Sequence, residues 1–264
     1  MDTRFWGPSG WKLLHSITFA YNPKQITIVK ELFSMLPFVL PCKFCRASLS
    51  EYMEKHSLQD ALKSRDSLTR WLWRIHNEVN KKLRSQQLAV EPDPPFEKVK
   101  EFYEDLLSRG CSRIDFQGWD FLFSVAELHP FSKSSRGSIP IKGAPPCDTI
   151  DTAEEKNKWN CLPIKERLVF YKRFWLAVGP SLPFVEWRSA WLRPTNLSQR
   201  QTTLKWLWKT RCHIENKLEL LNKCKYSHLC KTLKRFRSGC AKSIKAKTCR
   251  KRTRITLTQN RDVR

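Results

Sequence analysis

Apolar residues recur every three or four positions along the first hundred residues, which is the spacing of helical faces. The clearest case lies between residues 66 and 83, where five apolar residues form one seam: Leu68, Leu72, Ile75, Val79 and Leu83. Residues 11–18 and 25–35 show the same spacing, and a proline follows each of them. The pattern predicts an all-α fold built from amphipathic helices.

Prolines and capping residues set the predicted ends of these helices. In chain order we expect a turn over residues 6–11 that starts a helix ending at 21–23, helices over 25–35, 42–55 and 58–63, and a long helix from about residue 66. Pro37 and Pro41 are expected to bracket the link that leads into the third of these helices.

Length and charge divide the chain into three parts. With 264 residues, 41% of them hydrophobic, it is long enough for two packed domains, which we place at 1–108 and 109–221. The formal net charge is +24, and residues 222–264 hold 15 Lys or Arg against one acid. Such a basic tail is expected to stay extended and to bind a polyanion: nucleic acid, an acidic partner or an anionic membrane surface.

No targeting or membrane-spanning segment is predicted. Residues 1–12 lack the apolar centre of a signal peptide. The most apolar run, residues 26–40, contains Lys30, Glu31 and Pro37 and is too short to cross a bilayer. We therefore expect a soluble protein of the cytoplasm or of a particle assembled there.

A Cys-x-x-Cys sequence, Cys42 to Cys45, follows Pro41 and begins a predicted helix. A helix N-terminus favours the thiolate, which is the reactive form in disulfide exchange, so the pair is typical of a redox site. Half of a zinc site has the same spacing, and that interpretation stays open from these residues alone. Ten cysteines dispersed over both halves suit a protein that handles disulfides rather than one held together by them.

Polar residues accompany two of the predicted apolar faces. His15 lies on the face of the first helix, and His76, Asn77 and Asn80 lie beside the seam of the long helix. Poor helix formers in mid-helix indicate a polar ligand against that face. A satisfied core histidine at His15 and a solvated face at residues 76–80 are the alternative interpretations.

Three separated motifs resemble the Erv/ALR family of FAD-linked sulfhydryl oxidases. The family pattern Trp-x-x-x-His appears as Trp11 to His15, Pro followed by Cys-x-x-Cys as residues 41–45, and His-Asn-x-Val-Asn-x-x-Leu as residues 76–83. The resemblance covers roughly residues 5–105. It implies a helical bundle that binds FAD, oxidises thiols of protein substrates to disulfides, and reduces O2 to H2O2.

The resemblance also implies residue roles. Cys42 would accept attack from a substrate thiolate, and Cys45, released as thiolate beside the flavin, would pass electrons to it. Trp11 and His15 would contact the adenine end, and Lys82 a phosphate. The full implied cofactor set is Gly7, Trp11, His15, Tyr21, Cys45, His76, Asn77, Val79, Asn80, Lys82, Leu83 and Tyr103, with no metal ligand.

Two family features are absent from this sequence. Trp73 and Val90 occupy the positions of a Cys-x16-Cys disulfide that staples the long helix in many members. No second Cys-x-x-Cys is present to act as an electron shuttle. A homodimer is implied by the family, and the likeness to oxidases of large cytoplasmic DNA viruses implies a role in forming virion disulfides, in the host cytoplasm, a virus factory or the virion.

The second half repeats parts of the first. Residues 118–125 parallel 10–17, and residues 204–209 parallel 69–74. We therefore predict a degenerate second copy of the bundle, in which Phe123 replaces His15 and residues 184–187 replace the Cys-x-x-Cys. Convergence of two Trp-rich helices by composition is the alternative.

The remaining cysteines support several interpretations. Cys147 and Cys161 are expected to form a local disulfide. The tail residues that could bind zinc are Cys212, His213, Cys224, His228, Cys230, Cys240 and Cys249, and the five cysteines among them could instead act as a shuttle or stay free thiols. The alternative function for the whole chain is a basic, aromatic-rich protein that binds nucleic acid or a particle component and has secondary oxidase activity; a zinc-dependent structural protein is a third interpretation.

Overall fold

A computed structural model describes residues 1–237 except 89, 112–114, 133–134 and 136–138. Within these residues the regular elements are all helical, which confirms the predicted all-α fold. The first half contains α1 (Thr3–Phe19), α2 (Ile26–Val39), α3 (Lys43–Lys55), α4 (Leu58–Ala61), α5 (Arg65–Ser85) and α6 (Phe96–Ser108). The second half contains α7 (Trp119–Glu127), α8 (Ala153–Lys158), α9 (Ile164–Ser181), α10 (Val185–Ala190), α11 (Arg200–Lys217) and α12 (Tyr226–Arg235).

The first helix begins earlier than its sequence predicts. The expected turn at residues 6–11 is wrong, because α1 starts at Thr3 and Pro8 lies inside it. Asp2 caps the helix through its carboxylate, which accepts the backbone N–H of Arg4 at 3.0 Å. The N–H that Pro8 lacks is offset by burial of Trp6, which packs against Phe121 with ring centroids 5.9 Å apart.

The link before the dithiol is shorter than predicted. Helix α2 continues through Pro37 to Val39, so Pro37 does not end it. Leu36, Phe38 and Val39 are buried there, and the Pro37 carbonyl accepts the side-chain amide of Asn157 at 2.8 Å. Tertiary packing therefore overrides the local signal of the proline.

Part of the basic tail is folded. Residues 226–235 form α12, which places Leu229 and Leu233 in the core. Phe236 stacks on Phe5 at 4.4 Å between ring centroids, and its carbonyl accepts the backbone N–H of Asp2 at 2.9 Å. The expectation of an extended tail is wrong for residues 226–237, because this stretch carries an apolar stripe that the core can bury. Residues 238–264 lie outside the described residues.

The two halves share one contiguous core of buried apolar side chains. Helix α1 packs on α7 of the second half, and α2 packs on α9. The predicted segments 1–108 and 109–221 therefore contribute buried side chains to the same hydrophobic core. No helix among the described residues is long and apolar enough to cross a membrane.

Contacts between the halves come in matched pairs. A Cβ at Gly10 would lie 3.2 Å from the Phe121 ring, and a Cβ at Gly118 would lie 2.6 Å from Cδ2 of Leu13. Aligning Gly118-Trp119 with Gly10-Trp11 makes Phe121 the counterpart of Leu13, so one contact is made twice. The contact between these two aligned segments is therefore reciprocal.

The helices that follow show the same correspondence. Arg46 Nη1 donates to the Leu40 carbonyl at 3.1 Å, and Arg188 Nη1 donates to the Leu182 carbonyl at 2.6 Å, each over a Leu-Pro link. In that register Arg173 is the counterpart of Glu31. The two form an ion pair at 2.5 Å (Nε to Oε1), so counterparts meet each other across α2 and α9.

Candidate active site

The dithiol lies at the N-terminus of α3. Cys42 is the N-cap residue, with extended backbone, and its Sγ accepts the backbone N–H of Cys45 at 3.3 Å. The Cys42 side chain is 2% exposed, whereas Cys45 is half-buried. The predicted position of the first thiol at a helix start is thus confirmed.

The surroundings shift the pKa values of the two thiols in opposite directions. Burial by itself raises the pKa of Cys42, but hydrogen bonds from Cys45 and the positive charges of the Met1 amino group and Arg46 lower it to about 6. The hydrogen bond to Cys42, with burial, raises the pKa of Cys45 well above its usual value. One proton is therefore shared unequally, and Cys42 is the thiolate of the reduced pair.

A cavity of about 790 Å³ adjoins the dithiol. Its walls come from α1, α2, α3, α5, α6 and α7, and both cysteines line it. The predicted cofactor residues that line it are Gly7, Trp11, Cys45, His76, Val79, Asn80, Lys82, Leu83 and Tyr103. The volume is in the range of small-molecule and cofactor sites.

Flat aromatic groups form one wall of this cavity. Trp11 stacks on His76 with ring centroids 3.9 Å apart and planes 13° apart. Tyr103, which also lines the cavity, stacks on His15 with ring centroids 5.1 Å apart. Stacked, rigid rings of this kind favour a planar ligand.

The two histidines of the wall are neutral at physiological pH. His15 Nε2 and His76 Nδ1 are 3.2 Å apart, so one donates to the other. Burial, with the neighbouring His76, lowers the pKa of His15 to about 3, and burial lowers that of His76 to about 4. His15 lies behind the cavity lining rather than in it, and its Nδ1 is buried without a hydrogen-bond partner.

Two predicted cofactor residues lie away from the cavity. The Tyr21 hydroxyl donates to the Leu62 carbonyl at 2.8 Å in the core. Asn77 lines a separate, charged surface cleft on the other side of α5, which it shares with Arg84 and Asp93. The family resemblance implied a cofactor role for both residues, but a sequence motif does not show which way each side chain points.

Polar anchors hold the α5 residues that do reach the cavity. Asn80 donates to the Asp93 carboxylate at 2.7 Å. Lys82 Nζ donates to the Phe44 carbonyl at 3.3 Å and contacts the Ser48 hydroxyl. Lys82 thereby joins α5 to the first turns of α3, which carries the dithiol.

Several residues that line the cavity were not predicted from the sequence. Phe44, between the two cysteines, and Leu14 and Phe102, beside predicted residues, could have been found from their neighbours. Phe121 could not, because it comes from α7 in the second half and reaches the cavity only through the packing of α7 on α1. The other unpredicted lining residues include Arg4, Trp6, Lys12, Leu40, Leu49, Trp71, Gln86 and Val90.

The other cysteines are placed apart from this pair. Cys147 and Cys161 form the predicted disulfide, with Cα atoms 5.4 Å apart. Among the residues that the structure describes, no group of three or more His, Cys, Asp or Glu side chains is arranged to hold a metal. The zinc and shuttle interpretations of the tail also involve Cys240 and Cys249, which lie outside that part of the chain.

Fold and site define a class: an all-helical protein that holds a redox-type dithiol at the wall of a cofactor-sized aromatic cavity. Residues 8–104, which include both cysteines, the lining residues of α5 and α6 and those of α1 from Pro8 onward, match the model of the Erv1/Alr family. The chain belongs to that family.

Named relatives match the same region. The chain is 35% identical to the mitochondrial FAD-linked sulfhydryl oxidase ERV1 of Saccharomyces cerevisiae over 87 residues, which is 31% of this chain and 45% of the relative. It is 33% identical to the probable FAD-linked sulfhydryl oxidase R368 of Acanthamoeba polyphaga mimivirus over 100 residues, 34% of this chain and 70% of the relative. A putative FAD-linked sulfhydryl oxidase, 096R of Invertebrate iridescent virus 3, is 27% identical over 95 residues, 34% of this chain and 64% of the relative. No solved structure matches this chain significantly.

Proposed function

We propose that the protein is an FAD-dependent thiol oxidase that forms disulfides in protein substrates. The observation that carries the proposal is the position of Cys42 and Cys45 on the wall of the aromatic cavity. The family and the names of three relatives, each an FAD-linked sulfhydryl oxidase, support it.

The cavity residues fit a flavin nucleotide. Buried polar atoms without a partner, Nδ1 of His15 and Nε1 of Trp6, lie at or behind the lining, and such atoms are uncommon unless a ligand or water completes them. Trp11 and His76 offer a stacking face, and Lys82 offers a positive charge for a phosphate. FAD, when bound, supplies a two-electron acceptor that passes electrons from the dithiol to O2, with H2O2 as product.

The dithiol carries the exchange chemistry. A substrate thiolate attacks Sγ of Cys42 in the oxidised pair, which breaks the Cys42–Cys45 bond, forms a mixed disulfide and releases Cys45 as thiolate. A second substrate thiolate then attacks the substrate sulfur of the mixed disulfide, forming the substrate disulfide and releasing Cys42 as thiolate. A low pKa at Cys42 makes it the better leaving group in this second step.

The partners and location remain part of the proposal. Protein thiols are the substrates and O2 is the final acceptor. Two relatives come from large DNA viruses, which supports a role in virion disulfide formation in host cytoplasm or in the particle.

We further propose that the second half is a degenerate copy of the bundle that has lost the dithiol. The reciprocal contacts of Gly10 and Gly118 and the matched carbonyl bonds of Arg46 and Arg188 support this. Because α7 and α9 cover α1 and α2 within one chain, the homodimer that the family implies would use other faces of the bundle.

The first test is spectroscopic. We expect the purified protein to be yellow with a flavin spectrum, and to produce peroxide when dithiothreitol and O2 are supplied. Dithiothreitol added in the absence of O2 should bleach the flavin absorbance, because no final electron acceptor is then present. A colourless protein that contains bound zinc would overturn the proposal in favour of a structural metal protein.

A second candidate function is polyanion binding by the basic C-terminal segment, favoured by its charge. Residues 238–264 hold nine Lys or Arg and one acid. We expect their deletion to leave dithiothreitol oxidation within about twofold of the full chain while lowering affinity for duplex DNA and its salt dependence. The deletion should stop after residue 237, since α12 and Phe236 pack on the N-terminal helix. Loss of oxidase activity in this deletion would instead favour a direct role of the segment, such as a shuttle cysteine.

A further inference from the structure

The first turns of α3 bury positive charge around the dithiol. Arg46 is 7% exposed and Lys43 is 3% exposed. Arg46 donates to the Leu40 carbonyl and to Oδ1 of Asn160, and its Nε has no hydrogen-bond partner. No carboxylate among the described residues forms an ion pair or hydrogen bond with Arg46.

A buried guanidinium without a carboxylate is costly unless another anion compensates it. Burial lowers the pKa of Arg46, and the groups that oppose this effect are Cys42 and Cys45. The nearby Arg167 is also buried, and burial together with Arg46 lowers its pKa to about 9, so it adds positive charge rather than compensating it. The anion that balances Arg46 is therefore a thiolate of the reduced pair.

A residue from the second half holds this arginine in place. Asn160 accepts from Arg46 Nη2 at 2.6 Å, and its own amide donates to the Ile139 carbonyl at 2.8 Å. Lys43 Nζ donates to the same carbonyl at 3.2 Å. Asn160 has a left-handed backbone (φ +60°) and precedes Cys161 of the disulfide, so the loop that presents it is covalently closed.

We propose that Arg46 is a positioning residue for disulfide exchange: held by Asn160, it stabilises the Cys42 thiolate that leaves when the mixed disulfide is resolved. In that step the bond between Cys42 and the substrate sulfur breaks, a bond between two substrate sulfurs forms, and the electron pair stays on Cys42 Sγ, where the positive charge of Arg46 favours it. The inference rests on the proposed oxidase function and extends it, since it gives the second half a part in the dithiol site.

The chain contains a matched control for this role. Arg188 occupies the equivalent place in α10 and donates to the Leu182 and Pro183 carbonyls, but Phe184 and Trp187 stand where the first half has its cysteines. Removing either arginine deletes the same kind of backbone contact. Only Arg46 has a thiolate to stabilise.

The test measures the thiol itself. The protein is reduced, and the rate at which iodoacetamide alkylates Cys42 is followed between pH 4 and 9 (about five units) by mass spectrometry of its peptide. The other charged or titratable groups that face the dithiol are Cys45, the Met1 amino group, Lys43, Tyr52 and Lys82, and these remain unchanged in every variant.

We expect Arg46→Met to move the midpoint of this profile up by about one pH unit, which slows alkylation by about tenfold well below the midpoint. Arg188→Met should leave the midpoint unchanged. Arg46→Lys keeps the positive charge, so its midpoint should stay close to that of the unmodified protein. Asn160→Asp places a carboxylate against the guanidinium, compensates its charge and should also raise the midpoint without removing a buried side chain.

An unchanged midpoint in folded Arg46→Met, or in Asn160→Asp where the first variant does not fold, would overturn the inference. An equal shift in Arg188→Met would also overturn it, because the effect would then be structural. Alkylation does not require flavin or O2. A protein that lacks oxidase activity but shows the Arg46-dependent profile would thus contradict the proposed function alone.

Discussion

Cys42→Ser and Cys45→Ser are each expected to lower the rate of dithiothreitol oxidation at least about a thousandfold, because neither variant can form the disulfide that accepts substrate electrons. Both side chains line the same cavity, so a serine of similar volume should leave the fold and flavin binding intact. Peroxide release and the flavin spectrum, measured on the same samples, separate loss of chemistry from loss of cofactor.

The two variants should differ in what they trap. When the disulfide form of a substrate is supplied, the Cys42 thiolate of Cys45→Ser attacks one substrate sulfur and releases the other as a thiolate. Without Cys45 this mixed disulfide cannot be resolved from within the protein, so Cys45→Ser should accumulate substrate on Cys42, whereas Cys42→Ser should not. Cys111→Ser, which removes a half-buried thiol outside the cavity lining, is the control and should retain activity. Retention of more than about a tenth of the activity by Cys42→Ser would show that another thiol receives the substrate.

Gly118→Ala is expected to lower the free energy of unfolding by about 3 kcal/mol, the sum of backbone strain and overpacking. Gly118 has φ +115°, which side chains rarely adopt, and a Cβ there would lie 2.6 Å from Cδ2 of Leu13. The measurement is urea unfolding followed by tryptophan fluorescence. The same change should weaken flavin retention, because α7 brings Phe121 to the cavity.

Gly110→Ala is the matched control for this prediction. Gly110 also has positive φ, +73°, but nothing lies within 4 Å of a Cβ there. It should therefore lose only about 1 kcal/mol, the cost of the backbone conformation. Equal losses at the two glycines would mean that the contact between α1 and α7 contributes little to stability.

The dithiol illustrates what local sequence could predict. Pro41 and the helix-compatible residues after Cys42 place the first thiol at a helix N-cap, and the structure has it there. The apolar seam of the long helix could also be predicted from local sequence, since Leu68, Leu72 and Ile75 are buried at the predicted spacing. Both features depend on neighbours within one or two turns, which is the range over which helical periodicity acts.

The prolines illustrate where local sequence failed. Pro8 and Pro37 both lie inside helices, although each normally ends or begins one. In both cases buried neighbours, Trp6 and Phe38 among them, offset the lost hydrogen bond. Packing energy of this kind depends on partners far along the chain and leaves no local pattern to read.

By itself the sequence determined the helical class, the dithiol, the residues of α1 and α5 that resemble the family, and the Cys147–Cys161 pair. Only the tertiary structure decided that α7 and α9 pair with α1 and α2, that Phe121 lines the cavity, and that Asn160 holds Arg46. Asn160 lies 114 residues from Arg46 along the chain. Helical periodicity specifies which face of a helix is apolar, but the choice of partner for that face depends on shape and charge over the whole chain.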